Sequence, residues 1–293
     1  MDVSIIIVNC NTVDLTIQCV NSIYEKTCGV DFEIIIVDNA SSDDSVIRIR
    51  KTFPLVTLIE SKENLGFGRA NNLGVRSAIG KYIFLLNSDT VLINNAIEIL
   101  WKFMETTSTE VGVCGGILCD SCHRENGSFG TFPTVKSILQ KTINREPSNL
   151  YYTLKQNNTL KEKECCKVDY VLGADMFLSR ALYNDMEGFD PIFFMYYEES
   201  DLQKRIVEKG YENYVLSTVQ IVHLVNVSVN KLPTNKKRMI VDKSMLLYMK
   251  KHNPIHIYII LKYSYFLLEL LKAFRGRYTL RDNYQYLKAL LET

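Results

Sequence analysis

The amino-acid sequence predicts an α/β fold: a mostly parallel sheet flanked by helices, followed by a helical extension at the C-terminus. Three observations carry this. Short continuous runs rich in β-branched residues, 3–8 (VSIIIV), 32–37 (FEIIIV) and 82–86 (YIFLL), recur through the first third of the chain, as in strands covered on both faces. Between them, apolar residues three and four apart mark helices, and this alternation implies parallel pairing with right-handed crossovers. Beyond about residue 230 the strand signal stops and long, basic helical patterns take over.

The elements follow in order. After the first strand, Val13, Ile17, Val20 and Tyr24 line one helix face. The second strand leads into a short helix over 43–51, the third strand covers 56–60, and a helix over 67–79 is stopped by Gly80. After the fourth strand, Ile97, Leu100, Trp101 and Met104 share a helix face behind Asn94, a good N-cap. A short strand follows at 111–114. Residues 117–165 carry Gly127, Gly130, Pro133, Pro147 and a polar tract, and read as a long insertion of the kind that holds binding elements. Regular structure returns over 168–178, in a helix over 199–209 closed by Gly210, and in a strand-like stretch at 214–223. Three helices then end the chain: one stopping before Asn253-Pro254, one over 255–274, and one starting near Thr279, which has capping-box spacing to Asp282. The division is therefore 1–230 for the α/β unit and 231–293 for the basic extension.

The totals narrow the functional classes. Of 293 residues, 47% are apolar, enough for a sizeable core, and the net charge of +1 argues against nucleic acid as a partner. The first residues, MDVSIIIVNCN, lack a basic n-region and a signal-length apolar run. The expectation is a cytoplasmic protein whose eight cysteines are reduced thiols. Cys119-x-x-Cys122 with Cys114 and the Cys165-Cys166 pair has no common zinc-module spacing.

Polar clusters sit at the carboxyl ends of the predicted strands, where open α/β sheets bind ligands. The first strand ends in Asn9-Cys10-Asn11-Thr12, without the glycines of a dinucleotide site. Asp38-Asn39-Ala40-Ser41-Ser42-Asp43 ends the second; it reads as a loop and helix cap, but Asp38 could equally accept hydrogen bonds from a ribose or base. Gly66-x-Gly68 with Asn71 opens the next helix, where backbone N–H groups can meet a phosphate. Asn87-Ser88-Asp89 is an ordinary turn by composition, yet Asp89 also suits a hard divalent cation completed by substrate phosphates. Glu198, Glu199 and Asp201 follow an aromatic run, FFMYY, and exceed what a helix cap requires. His223 ends an apolar stretch, and a lone His in that place is more often structural than a ligand.

In the order VSIIIVNCN, VDNASSDDS, NLGFGRANNLGV, LLNSDT, VLGADMFLSR and GFDPIFFMYYEESDLQKRIVEKGY, these clusters resemble the inverting glycosyltransferases of family 2, which have the Rossmann-like GT-A fold. The likeness spans residues 3 to about 225 and is greatest to the rhamnosyltransferase-like branch. It implies a metal-dependent enzyme moving a hexose, rhamnose among the candidates, from a dTDP- or UDP-sugar to a hydroxyl of a cell-surface polysaccharide growing on a lipid carrier. By resemblance, Asn9, Asn11 and Asp38 would face the base and ribose, and Asn64, Gly66, Arg69 and Asn71 would follow the nucleotide and diphosphate. Asp89 would bind Mg2+ or Mn2+ with His223 as second ligand. Gly173, Ala174, Asp175 and Glu198 would border the sugar and acceptor, and Glu199 would be the catalytic base. Two departures from the pattern matter. Asn87 replaces the first Asp of Asp-x-Asp, and Glu199 replaces an Asp, extending the base by about 1.5 Å. Either the acceptor sits further out or Asp201 is the base. An inactive scaffold within an assembly complex is the alternative reading, resting on the same two departures.

The extension adds a further expectation. Residues 231–282 hold twelve Lys or Arg against three Asp or Glu. Residues 255–274 have the length of a membrane span, but His256, Lys262, Glu269 and Lys272 interrupt them. A basic, aromatic-rich helix lying in the bilayer interface fits this pattern and implies peripheral attachment to the inner face of the cell membrane. Packing on the α/β unit, or a homodimer interface, fits it equally.

Overall fold

A computed structural model describes residues 1–125, 127–144, 163–224, 234–273 and 279–293. Expectations for 145–162 of the insertion, 225–233 and 274–278 lie outside the described residues. Four parallel strands make the framework: β1 (Val3–Asn9), β2 (Phe32–Asp38), β3 (Thr57–Glu60) and β4 (Tyr82–Asn87). They lie in the order β3-β2-β1-β4, with Val3 beside both Phe32 and Tyr82. This register brings Asn9 next to Asp38, and Val8 next to Asn87. The strand order reverses direction beside β1, so a crevice opens there beyond the carboxyl ends.

The second half of the sheet is mixed. β10 (Asp175–Ser179) runs antiparallel between β4 and β6 (Val111–Cys119), and β11 (Glu212–His223) runs parallel to β6. β5 (Thr90–Leu92) and β8 (Cys165–Val168) both pair antiparallel with β11. β7 (Phe129–Gly130) and β9 (Tyr170–Val171) form a separate small ribbon.

Alternate strand residues feed two cores, the period of two expected of a pleated strand. Ile5, Ile7, Ile34, Ile36, Phe84 and Leu86 pack with α1 (Val13–Lys26), α2 (Ser45–Thr52) and α4 (Ala96–Thr106). Ile6, Ile35, Ile83 and Leu85 pack with α3 (Phe67–Val75), α6 (Arg180–Asp185) and α7 (Glu198–Glu208) on the other face. Both faces being covered is why these strands read as unbroken apolar runs.

A third core joins the C-terminal helices to each other and to the α/β unit. α8 (Thr234–His252), α9 (Ile255–Ala273) and α10 (Leu280–Glu292) bury Leu246, Tyr248, Met249, Leu261, Tyr265 and Tyr286. Ile138 of α5 (Val135–Asn144) and Phe193 enter the same cluster. Pro254 separates α8 from α9, and the Thr279 side chain caps α10 by accepting from the Asp282 N–H at 3.1 Å. Among the described residues no helix is long and apolar enough to cross a membrane.

Three local expectations change. α3 ends at Val75, and Ser77 and Ala78 close in i→i−3 bonds rather than continuing the helix to Ile79. Asn94 does not cap α4; its Nδ2 donates to the Thr218 carbonyl at 2.7 Å, tying the helix start to β11. β6 continues through Cys119 with all nine residues buried. The strand passes Gly115 and Gly116 at close approach to its neighbours: a Cβ on Gly116 would lie 2.2 Å from Val219 Cγ1.

Candidate active site

The carboxyl ends of β1 and β2 are stitched into one polar network. Asn9 Nδ2 donates to Asp38 Oδ1 at 2.8 Å and to Ser41 Oγ at 3.0 Å, while its Oδ1 accepts from Thr12 and Thr16. The second Asp38 oxygen accepts from the Ser41 N–H at 3.0 Å. A carboxylate offers about four lone-pair sites, so Asp38 keeps acceptor capacity although the residue is buried. Asn11 and Ala40 hold left-handed conformations, φ 55° and 59°. Asn11 Oδ1 accepts from the Ser42 N–H at 2.8 Å, closing the two loops on each other.

The loop before α3 joins this network through Asn39, a residue the sequence reading passed over. Asn39 donates to Asn64 Oδ1 and to the Gly66 carbonyl, and accepts from the Leu65 N–H at 2.8 Å. Gly66, at φ 78° and ψ −169°, occupies a region essentially reserved for glycine. The Phe67 N–H then donates to the Phe194 carbonyl at 2.9 Å, fastening the loop to the acidic segment. Arg69 donates to the Leu65 carbonyl and lies 6.0 Å from the centre of the Phe194 ring.

The Asn87-Ser88-Asp89 turn and His223 come together because β11 pairs with β5, setting His223 opposite Thr90. His223 Nε2 is 3.3 Å from Asp89 Oδ1 and 3.4 Å from Asn87 Nδ2. Across the sheet, the Asn87 N–H donates to the Ala174 carbonyl at 3.0 Å, which places Gly173 and Ala174 beside the same turn.

The acids are presented by a strained segment. Tyr196 and Tyr197 both take left-handed backbone, φ 72° and 69°, immediately before Glu198. Such conformations cost bulky residues about 1–2 kcal/mol each and cluster at functional sites. A Cβ on Gly173 would lie 3.6 Å from Glu199 Cβ, so the Glu199 side chain starts beside Gly173 and Phe67. One carboxylate oxygen of Glu199 and one of Glu198 are buried without a hydrogen-bond partner. Burial pushes both carboxyl groups up from their ordinary range; the Glu199 charge adds to the rise in Glu198, and backbone N–H donors partly offset it in Glu199.

This geometry bears on four of the expected site residues. Asp201 is not placed to act as a base: fully buried, it accepts from Arg205 Nε at 2.9 Å, Lys251 Nζ at 2.8 Å and His252 Nε2 at 2.8 Å. Burial alone would raise its carboxyl, but the bonds from His252 and Lys251 and the Arg205 charge outweigh that and hold it below the usual range. Asn9 is fully buried, with both ends of its amide engaged in the network described above. Asn71 is buried and donates to the Phe67 carbonyl. Asp175 is fully buried, with one oxygen accepting from the Gly116 N–H at 2.6 Å. The Asn9 and Asn71 amides brace the loops around them, while the other Asp175 oxygen is buried without a hydrogen-bond partner. The Tyr196-Tyr197 turn carried no sequence signal, because large aromatic residues rarely take left-handed backbone.

A crevice at the switch point of a Rossmann-like sheet, faced by an acid-bearing helix start, is the layout of GT-A glycosyltransferases. The chain belongs to glycosyl transferase family 2, whose family model matches residues 4–170. Among curated relatives, an uncharacterized glycosyltransferase of Rickettsia felis is 27% identical over 77% of the chain, which spans only 36% of that protein. The low-salt glycan biosynthesis hexosyltransferase Agl10 of Haloferax volcanii is 26% identical over 77% of the chain and 67% of its own length. N-acetylglucosaminyl-diphospho-decaprenol L-rhamnosyltransferase of Mycobacterium tuberculosis is 21% identical over 65% of the chain and 66% of its own. Solved structures share the fold: S. aureus TarS 1–349 in complex with UDP (TM-score 0.60, 14% identity, 99% of this chain, 79% of that one) and the mannosyltransferase PcManGT of Pyrobaculum calidifontis in complex with GDP-Man and Mn2+ (TM-score 0.58, 18%, 99% and 85%).

Proposed function

We propose that this protein transfers a hexosyl group, with inversion, from a nucleotide-diphosphate sugar to a hydroxyl of a growing saccharide. The observation that carries the reading is Glu199: a carboxylate beside Gly173, with one buried, unpartnered oxygen, held by a strained turn that is fastened to the β3–α3 loop. Its raised affinity for protons suits a general base near neutral pH, a role typically worth about 10²- to 10⁴-fold. The acceptor hydroxyl attacks the anomeric carbon from the face opposite the diphosphate, and Glu199 takes its proton. One displacement inverts the configuration. Asp38 and Asn11 hold the nucleoside, and the N–H groups at the start of α3, with Arg69, face the diphosphate.

The residues at the β4 turn fit a divalent cation. Asp89 and His223 lie 3.3 Å apart as an oxygen and an imidazole donor, and two protein ligands leave positions for diphosphate oxygens and water. Carboxylate with imidazole suits Mn2+ better than Mg2+. When bound, the cation neutralises charge on the leaving diphosphate. The named relatives act as hexosyl- and rhamnosyltransferases, which supports a hexose or rhamnose as the group moved.

Residues 1–230 carry this chemistry, and 231–293 bring it to a lipid-linked acceptor at a membrane surface. Ile255, Ile259, Ile260, Tyr263, Leu267 and Leu271 are exposed along one side of α9, while Tyr258, Leu261, Tyr265 and Glu269 are buried on the other. The excess of twelve basic residues over three acidic across 231–282 suits an anionic bilayer. Sedimentation with phosphatidylglycerol vesicles, lost in an Ile260→Glu/Leu267→Glu variant, is the expected result.

The main test is thermal unfolding with UDP, dTDP, GDP and CDP, each with and without Mn2+. A nucleotide at a hundred times its Kd adds about 2.7 kcal/mol of stability. Asp89→Ala and His223→Ala should remove the metal-dependent part of the shift, and Glu199→Gln should keep the shift but abolish transfer. No shift with any nucleotide would overturn the reading.

A further inference from the structure

Helix α8 meets the acid-bearing segment at residues that shape it. The Ser244 hydroxyl donates to the Met195 carbonyl at 2.8 Å, one residue before the left-handed pair. The Tyr248 ring packs on Tyr197, centroids 5.7 Å apart, and on His252 at 4.6 Å. His252 and Lys251 both reach Asp201, two residues beyond Glu199, and Lys251 also pairs with Asp190 at 2.6 Å. Phe193 is fully buried in the cluster that α8 and α9 build. The turn is thus gripped at 190, 193, 195, 197 and 201 from one helix bundle. Two consecutive left-handed tyrosines persist only where surrounding structure holds them.

We infer that the C-terminal extension is a positioning device for the catalytic carboxylate: Ser244, Tyr248, Lys251 and His252 of α8 hold the strained 195–201 turn so that Glu199 meets the acceptor hydroxyl. None of the four is shown touching the crevice; they act through the turn. This rests on Glu199 being the base, and it gives the extension a role apart from any surface it docks on. The Tyr248 hydroxyl is buried without a hydrogen-bond partner. The ring, rather than the hydroxyl, is therefore what the turn requires.

The test uses the full chain and two readouts. The first is hydrogen–deuterium exchange over 193–201, with strand 82–87 as internal reference. The second is nucleotide release from UDP-GlcNAc, UDP-glucose, GDP-mannose and dTDP-rhamnose, with the Kd of the matching nucleotide. Tyr248→Ala and His252→Leu should speed exchange over 193–201 alone. They should lower kcat by about a hundredfold, the scale expected of ~1 Å misplacement, with nucleotide Kd within twofold. Tyr248→Phe, which keeps the ring, and His252→Gln, which keeps a donor to Asp201, should restore both readouts. Unchanged exchange and kcat in folded Tyr248→Ala and His252→Leu would overturn the inference, as would loss of nucleotide affinity in step with kcat. If Tyr248→Ala does not fold, Ser244→Ala with His252→Leu decides. Glu199→Gln separates the two layers: full turnover there overturns the base assignment, while the exchange data still report whether α8 holds the turn.

Discussion

Gly66 is where the nucleotide loop and the acid-bearing segment meet, and Gly66→Ala puts a number on that junction. A Cβ there would lie 1.9 Å from the Phe194 carbonyl oxygen, about 1 Å inside the 3.0 Å limit of real contacts. The backbone, at φ 78° and ψ −169°, costs any L-residue roughly 1–3 kcal/mol. Moving Phe194 aside also breaks its bond from the Phe67 N–H, worth about 0.5–1.5 kcal/mol. The expected loss is about 3 kcal/mol, or roughly 6–12 °C in Tm for a domain near this size. Turnover should fall by about a hundredfold, because the nucleotide loop and the base shift apart by ~1 Å. Differential scanning fluorimetry with and without nucleotide reads the stability loss, and nucleotide release from the sugar donor reads the turnover. A variant that melts within about 2 °C of wild type and keeps its nucleotide-induced shift would refute the geometry.

Asp201→Ala should cost about 3 kcal/mol, the lower end for breaking a buried pair, because Arg205 and Lys251 keep some access to water. Since the Asp201 carboxyl is held low, its contribution should be present above its unfolded pKa and lost only in acid; a gap from wild type that persists at pH 2 would contradict this. Glu198→Gln should do the opposite. The native carboxyl is pushed up, so above about pH 4.5 the unfolded chain releases a proton that the native state keeps, and wild type loses up to ~1.4 kcal/mol per pH unit. The variant should therefore gain on wild type as pH rises above the unfolded value, and parallel curves would rule this out. Asn87→Asp places a second carboxylate at the His223 turn and should tighten Mn2+ by about tenfold, ~1.4 kcal/mol, as read by titration calorimetry; weaker binding would place the cation elsewhere.

Much of the framework was legible because it is local. The runs at 3–8, 32–37 and 82–86 became β1, β2 and β4, and the Asn253-Pro254 break and the Thr279 cap fell as expected. Pro cannot continue a helix, and a threonine three residues before Asp282 can cap one. The misses are residues whose partners lie far along the chain. Asn94 was claimed by Thr218. Asp201 looked like a spare acid until Lys251 and His252 arrived, fifty residues later, to neutralise it.

The sequence by itself determined the strand–helix alternation, the polar residues at the strand ends, and the acidic cluster behind an aromatic run. All of these follow from side-chain periodicity and turn chemistry within a few residues. Tertiary structure alone decided which of these polar residues are enclosed with partners from distant parts of the chain. Asn9 and Asn11 are the same residue type, yet Asn9 is fully buried with both ends of its amide bonded, whereas Asn11 is half-buried and closes one loop on the next. It also decided that the left-handed Tyr196-Tyr197 turn could exist at all. Local sterics disfavour that backbone, and it stands because α8 packs against it from elsewhere in the chain.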